Sequence, residues 1–287
     1  MSEPETFDPD WLALREPADH RSRADDLLPP LRAWWAARGA STVLDLGSGS
    51  GSNLRYLAPV LGRPQRWTLV DHDAGLLAHV SEPGGDVRVH TVRGDLAREG
   101  LAAVPGAHLV TASALLDLVP RAWLAELVDA CAAARCGALF ALTYDGRIEW
   151  SVGGTGADTT PAARAEDPLD ALVRDAVNAH QLRDKGLGPA LGPAAAHAAG
   201  ELLRRRGYRT WLSSSPWVLG PSESALADAL VTGWAGAAAE QRPADATHVR
   251  AWAEHRRETV ARGEFALLVG HLDLLALPAA EPTPGAP

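Results

Sequence analysis

Lysine is almost missing from this 287-residue chain: Lys185 is the single one. Cysteine (2), methionine (1), tyrosine (3) and phenylalanine (3) are also scarce. Two cysteines cannot build a disulfide framework, so a reducing compartment is expected, with Cys131 and Cys136 simply packed. No apolar run approaches the length of a membrane span, and the acidic start, Met1 to Asp10, lacks the basic-then-apolar design of a signal peptide. A cytoplasmic protein without a membrane partner is the expectation. Positive charge is short as well, with 27 basic against 36 acidic residues and a formal net charge of -9. Long nucleic acid draws most of its affinity from a basic face, so no nucleic-acid partner is expected. No His/Cys/carboxylate grouping has metal-ligand spacing, and no internal repeat is visible. The lone lysine reads either as a compositional bias toward arginine or as a position that a guanidinium does not serve.

What is present is 46% hydrophobic residues and enough length to bury a large core. Residues 1–40 read as a helical N-terminal cap. From residue 41 short buried strands (42–46, 66–71, 86–92, 108–112, 138–144) alternate with helical stretches (53–61, 74–80, 121–134). Such alternation implies right-handed parallel βαβ units, hence an α/β, doubly wound, mostly parallel sheet with helices on both faces. Residues 41–145 form that core. Residues 146–193 read as a loop-helix lid, the loop over 146–166 and the helix over 168–185. Asp167 is its N-cap, Pro168 its first residue and Gly186 its stop. Residues 194–277 supply further helices (194–206, 222–240, 245–262) and strands (208–212, 265–275), and 278–287 a flexible tail.

The sharpest motif is Asp45-Leu46-Gly47-Ser48-Gly49-Ser50-Gly51, a glycine loop between strand and helix where backbone N–H groups can approach a ligand. Its third glycine follows the second by two residues, not the three of the dinucleotide fingerprint, which disfavours a nicotinamide enzyme. Asp45 is a strand carboxylate in need of a partner, such as a ligand amino group reached directly or through loop amides and water. Asp71 ends the second strand about 20 residues after the loop, where an acid can accept ribose hydroxyls. The alternative is a tight turn followed by a helix-capping aspartate. The run 41–145 resembles the class I S-adenosylmethionine-dependent methyltransferases. The resemblance implies a seven-stranded sheet with its last strand antiparallel, and S-adenosyl-L-methionine as cofactor. It implies further that the glycine loop carries the methionine part, Asp71 the ribose and Asp95, in Gly94-Asp95-Leu96, the adenine amino group. Ser48, His72 beside the adenine, and Ser113 at the end of the fourth strand complete the expected cofactor shell. Arg15, Arg21 or Arg23 can grip the methionine carboxylate or form surface ion pairs. Two helices between the last two strands depart from the family's short hairpin.

The expected reaction is in-line methyl transfer to a small-molecule acceptor. A nucleic-acid or protein methyltransferase, or a non-catalytic binder of the same nucleoside, is the alternative. The acceptor belongs beyond the carboxyl ends of the strands. Asp117, Asp145 and Trp150 are expected to bind it, and Tyr144 to stack on it. On helix 168–185, His180 and Asp184 lie four residues apart near the apolar stripe, a possible base and its orienter. Asn178, Gln181 and Lys185 form a neighbouring polar ladder, read as acceptor-binding or as a solvated face. Tyr144 joins His180 and Asp184 as the third expected catalytic residue.

Overall fold

A computed structural model describes residues 8–151 and 167–279 of the protein. The chain opens with helices α1 (Pro9–Ser22) and α2 (Leu28–Ala37), as the sequence leads one to expect. Asp8 caps α1 by accepting from Asp10 N, and Pro9 occupies the first turn, where its missing N–H costs nothing. The core follows as β1 (Thr42–Leu46), α3 (Ser52–Leu57), β2 (Gln65–Asp71), α4 (Ala74–Leu77), β3 (Val87–Arg93), α5 (Leu101–Ala103), β4 (Leu109–Ser113), α6 (Arg121–Ala134) and β5 (Gly137–Ser151). The later elements are α7 (Pro168–Gln181), α8 (Ala195–Arg205), β6 (Tyr208–Ser214), β7 (Trp217–Leu219), α9 (Ser224–Gln241), α10 (Ala246–Ala261) and β8 (Ala266–Pro278).

One sheet orders the strands β3-β2-β1-β4-β5-β8-β6, with β7 also paired to β8. Strands β1 to β5 pair in parallel, and β8 runs antiparallel to β5, β6 and β7. The sheet therefore has eight strands, not the expected seven, because Trp217–Leu219 adds a short strand beside the start of β8. The late helices α9 and α10 fill the connection between β7 and β8 without disturbing the neighbourhood of β6 and β8.

Two apolar clusters cover the faces of the sheet. Leu31, Trp35, Leu54 and Trp67 belong to one; Leu124, Leu127, Ala199 and Leu203 belong to the other. A third cluster lies around the long β5–β8 ribbon, where Ile148, Trp150, Trp217 and Val269 meet Val173, Leu230 and Trp252. Fully burying one such side chain contributes roughly 1.5–3 kcal/mol, so this third cluster holds α7, α9 and α10 to the sheet as a cap.

Two expectations need correction here. Residues 146–151 continue β5 instead of opening a loop, with Ile148 and Trp150 buried and Arg147 and Glu149 exposed, the period of a one-sided strand. Residues 152–166, the rest of that expected loop, and 280–287, most of the expected tail, lie outside the described residues. Helix α7 starts as expected, with Asp167 and Asp170 in a reciprocal capping box, but ends at Gln181. Asp184 stops the continuation: its Oδ1 accepts from Gly186 N (2.8 Å) and Gly188 N (2.9 Å), a turn that competes with helix for the backbone.

Candidate active site

The glycine loop leaves β1 and is tied at once to its neighbour strand, since Gly47 N and Ser48 N donate to Val70 O at 2.9 and 3.2 Å. Gly47, Gly49 and Gly51 all have positive φ (62°, 52° and 84°), a conformation that side chains resist. A Cβ on Gly47 would also stand 3.2 Å from Leu115. Asp71, buried at the end of β2, accepts from Gly49 N at 2.7 Å with one oxygen and from Asp73 N at 3.0 Å with the other. His72 Nδ1 stands 3.4 Å from Asp71 Oδ1. Asp45 Oδ1 accepts from Asn53 Nδ2 at 2.9 Å. Burial pushes its carboxyl up to about 7, against the Asn53 hydrogen bond and the charge of Arg23. Asp45 Oδ2, Ser48 Oγ and His72 Nε2 are buried without a hydrogen-bond partner. Such groups each cost free energy unless something polar meets them, and here they gather around one loop.

Other expected cofactor residues follow or end the neighbouring strands β3 and β4. Asp95 is exposed and caps the turn after β3 through Ala97 N (2.6 Å), while Leu96 is half-buried against the core. Ser113 ends β4, half-buried. Helix α1 roofs the loop: a Cβ on Gly49 would lie 3.4 Å from Leu12, His20 Nε2 bonds to Ser52 O and Oγ (both 3.1 Å), and Glu16 pairs with Arg55. Of the three arginines, Arg15 forks onto Asp19, Arg21 reaches Glu223, and Arg23 is buried between Asn53 and Asp273.

Beyond the carboxyl ends of β4 and β5 lies a cavity of about 620 Å³. Chain neighbours join it to the glycine loop. Trp11 and Ala114 line the cavity, while Leu12 and Leu115, the next residues, face Gly49 and Gly47. Ala114 and Leu142, both on the wall, have φ of 51° and 53°, and left-handed backbone in such residues costs of order 1–2 kcal/mol each. Strain of this kind gathers at functional sites.

Five of the expected acceptor and catalytic residues line this cavity: Asp117, Tyr144, His180, Gln181 and Lys185. Asp117 is 6% exposed, with Oδ1 buried and unpaired. Burial pushes its carboxyl up to about 6, although its own and the Tyr144 backbone N–H and the charges of Arg15 and Lys185 pull it down. Tyr144 presents its ring but donates its hydroxyl to Asn178 Oδ1 (2.8 Å), and burial drives the phenol well above its usual range. That bond and that shift remove Tyr144 as a proton carrier near neutral pH.

The remaining residues are elsewhere. Asp184 is exposed and holds its turn, so no His180–Asp184 pair exists; His180 Nε2 meets Glu240 Oε2 of α9 instead, at 3.3 Å. Trp150 packs against Phe265 and under Arg256, because the one-sided strand turns it into the third cluster. Asp145 is occupied by Arg147. Asn178 braces Tyr144 and Gly146 O from behind the wall. Sequence reasoning misses His271 of β8, which faces the cavity between Tyr144 and Trp217, and burial takes its pKa down to about 3. It also misses Asp273 and the α9 wall, Leu230, Gly233 and Trp234. The available signal was a histidine and an aspartate two residues apart, on one face of an apolar strand.

Among the described residues no group of His, Cys, Asp and Glu is placed to hold a metal ion, and no helix is long and apolar enough to cross a membrane. No family model matches the chain, and no curated protein matches it. Solved structures similar to it include an S-adenosylmethionine-dependent methyltransferase from Geobacter sulfurreducens in complex with S-adenosylhomocysteine, 16% identical, covering 96% of this chain and 100% of that one, with a TM-score of 0.41. A cyclopropane-fatty-acyl-phospholipid synthase-like protein from Lactobacillus casei is 16% identical over 96% of both chains, TM-score 0.49. The cyclopropane synthase MmaA2 from Mycobacterium tuberculosis is 12% identical over 94% of both, TM-score 0.44. None of these likenesses assigns a role to a residue of this chain. The antiparallel last strand, β8, is the one that the resemblance to class I methyltransferases implies.

Proposed function

We propose that the protein is an S-adenosylmethionine-dependent methyltransferase acting on a small molecule held in the 620 Å³ cavity. One observation carries this reading: the glycine loop, with its unpaired Asp45 Oδ2 and Ser48 Oγ, packs against Leu115 and Leu12, whose chain neighbours Ala114 and Trp11 line the cavity. Two places linked in this way, through residues adjacent in the chain, suit a donor and an acceptor of one transferred group.

The residues present fit the nucleoside. Asp45 and the loop would hold its amino-acid end, Asp71 the ribose, and His72, Asp95 and Leu96 the adenine. When bound, S-adenosylmethionine supplies a methyl group activated by a positively charged sulfur. The chain's own work is alignment and exclusion of water: α1 roofs the loop, and α7 and α9, joined by His180–Glu240, close the far side of the cavity. The acceptor is sized by that cavity, which suits a small ligand better than a polymer.

Calorimetry with S-adenosylhomocysteine and, separately, NAD tests the reading: tight binding of the first and none of the second is expected, and the reverse would end it. A pH series adds a second expectation. Asp45, facing Asn53, Thr111, Arg23 and Asp71, is protonated below about 7. Its raised pKa means that it gains charge, and so attraction for the ligand's ammonium, only as pH rises. Affinity for S-adenosylhomocysteine should fall about tenfold from about pH 8 to about pH 6. Asp45→Asn should flatten the profile; an equally steep profile in the variant would take the ammonium away from Asp45.

A further inference from the structure

The cavity wall has a chemical bias. Trp11, Tyr144, Trp217 and Trp234 give it aromatic surface, suited to a flat or apolar body. Against that surface stand three buried polar atoms without partners, Asp117 Oδ1, Gln181 Oε1 and His271 Nδ1. The carboxylate and amide oxygens accept hydrogen bonds and cannot donate them when Asp117 is ionised. An occupant that leaves them unpaired forfeits free energy, so the cavity favours one that brings N–H or O–H groups. Arg15 does not meet that need: its fork is taken by Asp19 at 2.9 and 3.1 Å, and its Cζ lies over the Trp217 ring, 5.0 Å from the ring centre. Glu240 is likewise engaged, by His180 and Arg183.

The geometry points to an amine as the methyl acceptor, entering as an ammonium, with Asp117 Oδ1 binding its N–H and receiving its proton. This rests on the methyltransferase reading of the adjoining loop. Burial separates an amine from an alcohol. Passing a proton from an ammonium to a buried carboxylate turns two charges into two neutral groups, which a low-dielectric site favours; taking one from a hydroxyl only moves a negative charge. The balance is complete. The ammonium N–H bond breaks, its proton bonds to Asp117 Oδ1, and its electron pair becomes the nitrogen lone pair. That pair forms the new N–C bond as the methyl carbon's former bonding pair stays on the donor sulfur, leaving a thioether and a methylated ammonium. The proton on Asp117 returns to water when the product leaves. A carboxyl titrating at about 6 is ionised at neutral pH, ready to receive it.

The test uses the full chain saturated with S-adenosylhomocysteine, and 2-phenylethylamine as probe, with 2-phenylethanol as its neutral counterpart. Calorimetry should show the amine binding at least about tenfold more tightly than the alcohol at neutral pH. Asp117→Asn should erase that preference while S-adenosylhomocysteine affinity stays within about twofold, which also reports an intact fold. Asp117→Ser serves should the amide variant not fold. Amine affinity in the parent should fall about tenfold per pH unit below about 6. The titratable groups that line the cavity with Asp117 are Arg15 of α1, Tyr144 of β5, His271 of β8, His180 of α7, Lys185 beyond it and Glu240 of α9, of which Arg15 and Lys185 act on its charge. Any slope that survives in Asp117→Asn belongs to those groups and not to Asp117. Equal binding of amine and alcohol, no amine binding at millimolar concentration, or an unchanged preference in Asp117→Asn each overturns the proposal. If S-adenosylhomocysteine itself does not bind, it is the methyltransferase reading that fails.

Discussion

Asp71→Ala should weaken S-adenosylhomocysteine binding about 100-fold. Each of the two Asp71 oxygens already accepts one backbone N–H, Gly49 at 2.7 Å and Asp73 at 3.0 Å, and keeps a second lone pair for a sugar hydroxyl. A hydrogen bond to a charged group contributes about 1.5–3 kcal/mol, so losing two removes at least about 3 kcal/mol, a factor of 100 or more. The substitution also frees Gly49 N, so the loop loses one of its ties to β2 while Gly47 N and Ser48 N keep theirs to Val70 O. Asp71→Asn keeps an amide oxygen for Gly49 and should fall between parent and alanine variant. Calorimetric titration decides the matter: an alanine variant within about threefold of the parent would remove Asp71 from the ribose.

Asp273→Ala should lower stability by about 3–5 kcal/mol, the usual cost of stranding one partner of a buried ion pair. Asp273 is 2% exposed. Its Oδ2 accepts from Arg23 Nε (3.3 Å) and Ala24 N (3.1 Å), and its Oδ1 from Leu142 N and Ser215 Oγ (both 2.7 Å). Without it, Arg23 keeps only Asn53 Oδ1 and the Tyr56 ring, 4.4 Å away, and two backbone N–H groups lose their acceptor. For a chain of this size the melting temperature should drop by roughly 10 °C. Arg23→Met combined with Asp273→Leu should recover part of that loss, because an apolar pair leaves no buried charge. A drop under about 3 °C for the single variant would show that water or a rearranged neighbour replaces the carboxylate. The same carboxylate holds Leu142 in its left-handed conformation on the cavity wall, so the variant should also loosen that wall.

The parallel half of the sheet is readable from residue pattern because β1 and β2 are short, largely apolar runs closed by glycine or aspartate, and helical stretches separate the strands. Val43, Leu44 and Leu46 are buried on both sides, and Gly47 breaks the run. The start of α7 is equally plain, since Asp167, Pro168 and Asp170 are local signals that need no tertiary context. Its end is not, because the fate of Asp184 depends on two glycine amides farther along the chain. The stretch 146–151 hides its strand because Gly146, Arg147 and Glu149 carry loop chemistry on the exposed side. The helix α9 conceals its part in the cavity, since Gly233 and Trp234 gain meaning only once α1 and α7 stand opposite. The Arg23–Asp273 pair spans 250 positions in the chain, a contact that no short-range pattern reveals.

Strand β8 is the latest element in the described chain, yet it occupies an interior slot between β5 and β6. Ribosomal synthesis therefore releases β1 to β5, with the glycine loop, long before the strand that unites the sheet. Until residues 266–278 emerge, β5 and β6 lack their shared partner, and the wall bearing His271 and Val269 does not exist. Such distant pairings are slow to form and leave open strand edges in the meantime. On the proposed function, the nascent polypeptide should thus complete the glycine loop before it gains the cavity wall that β8 supplies.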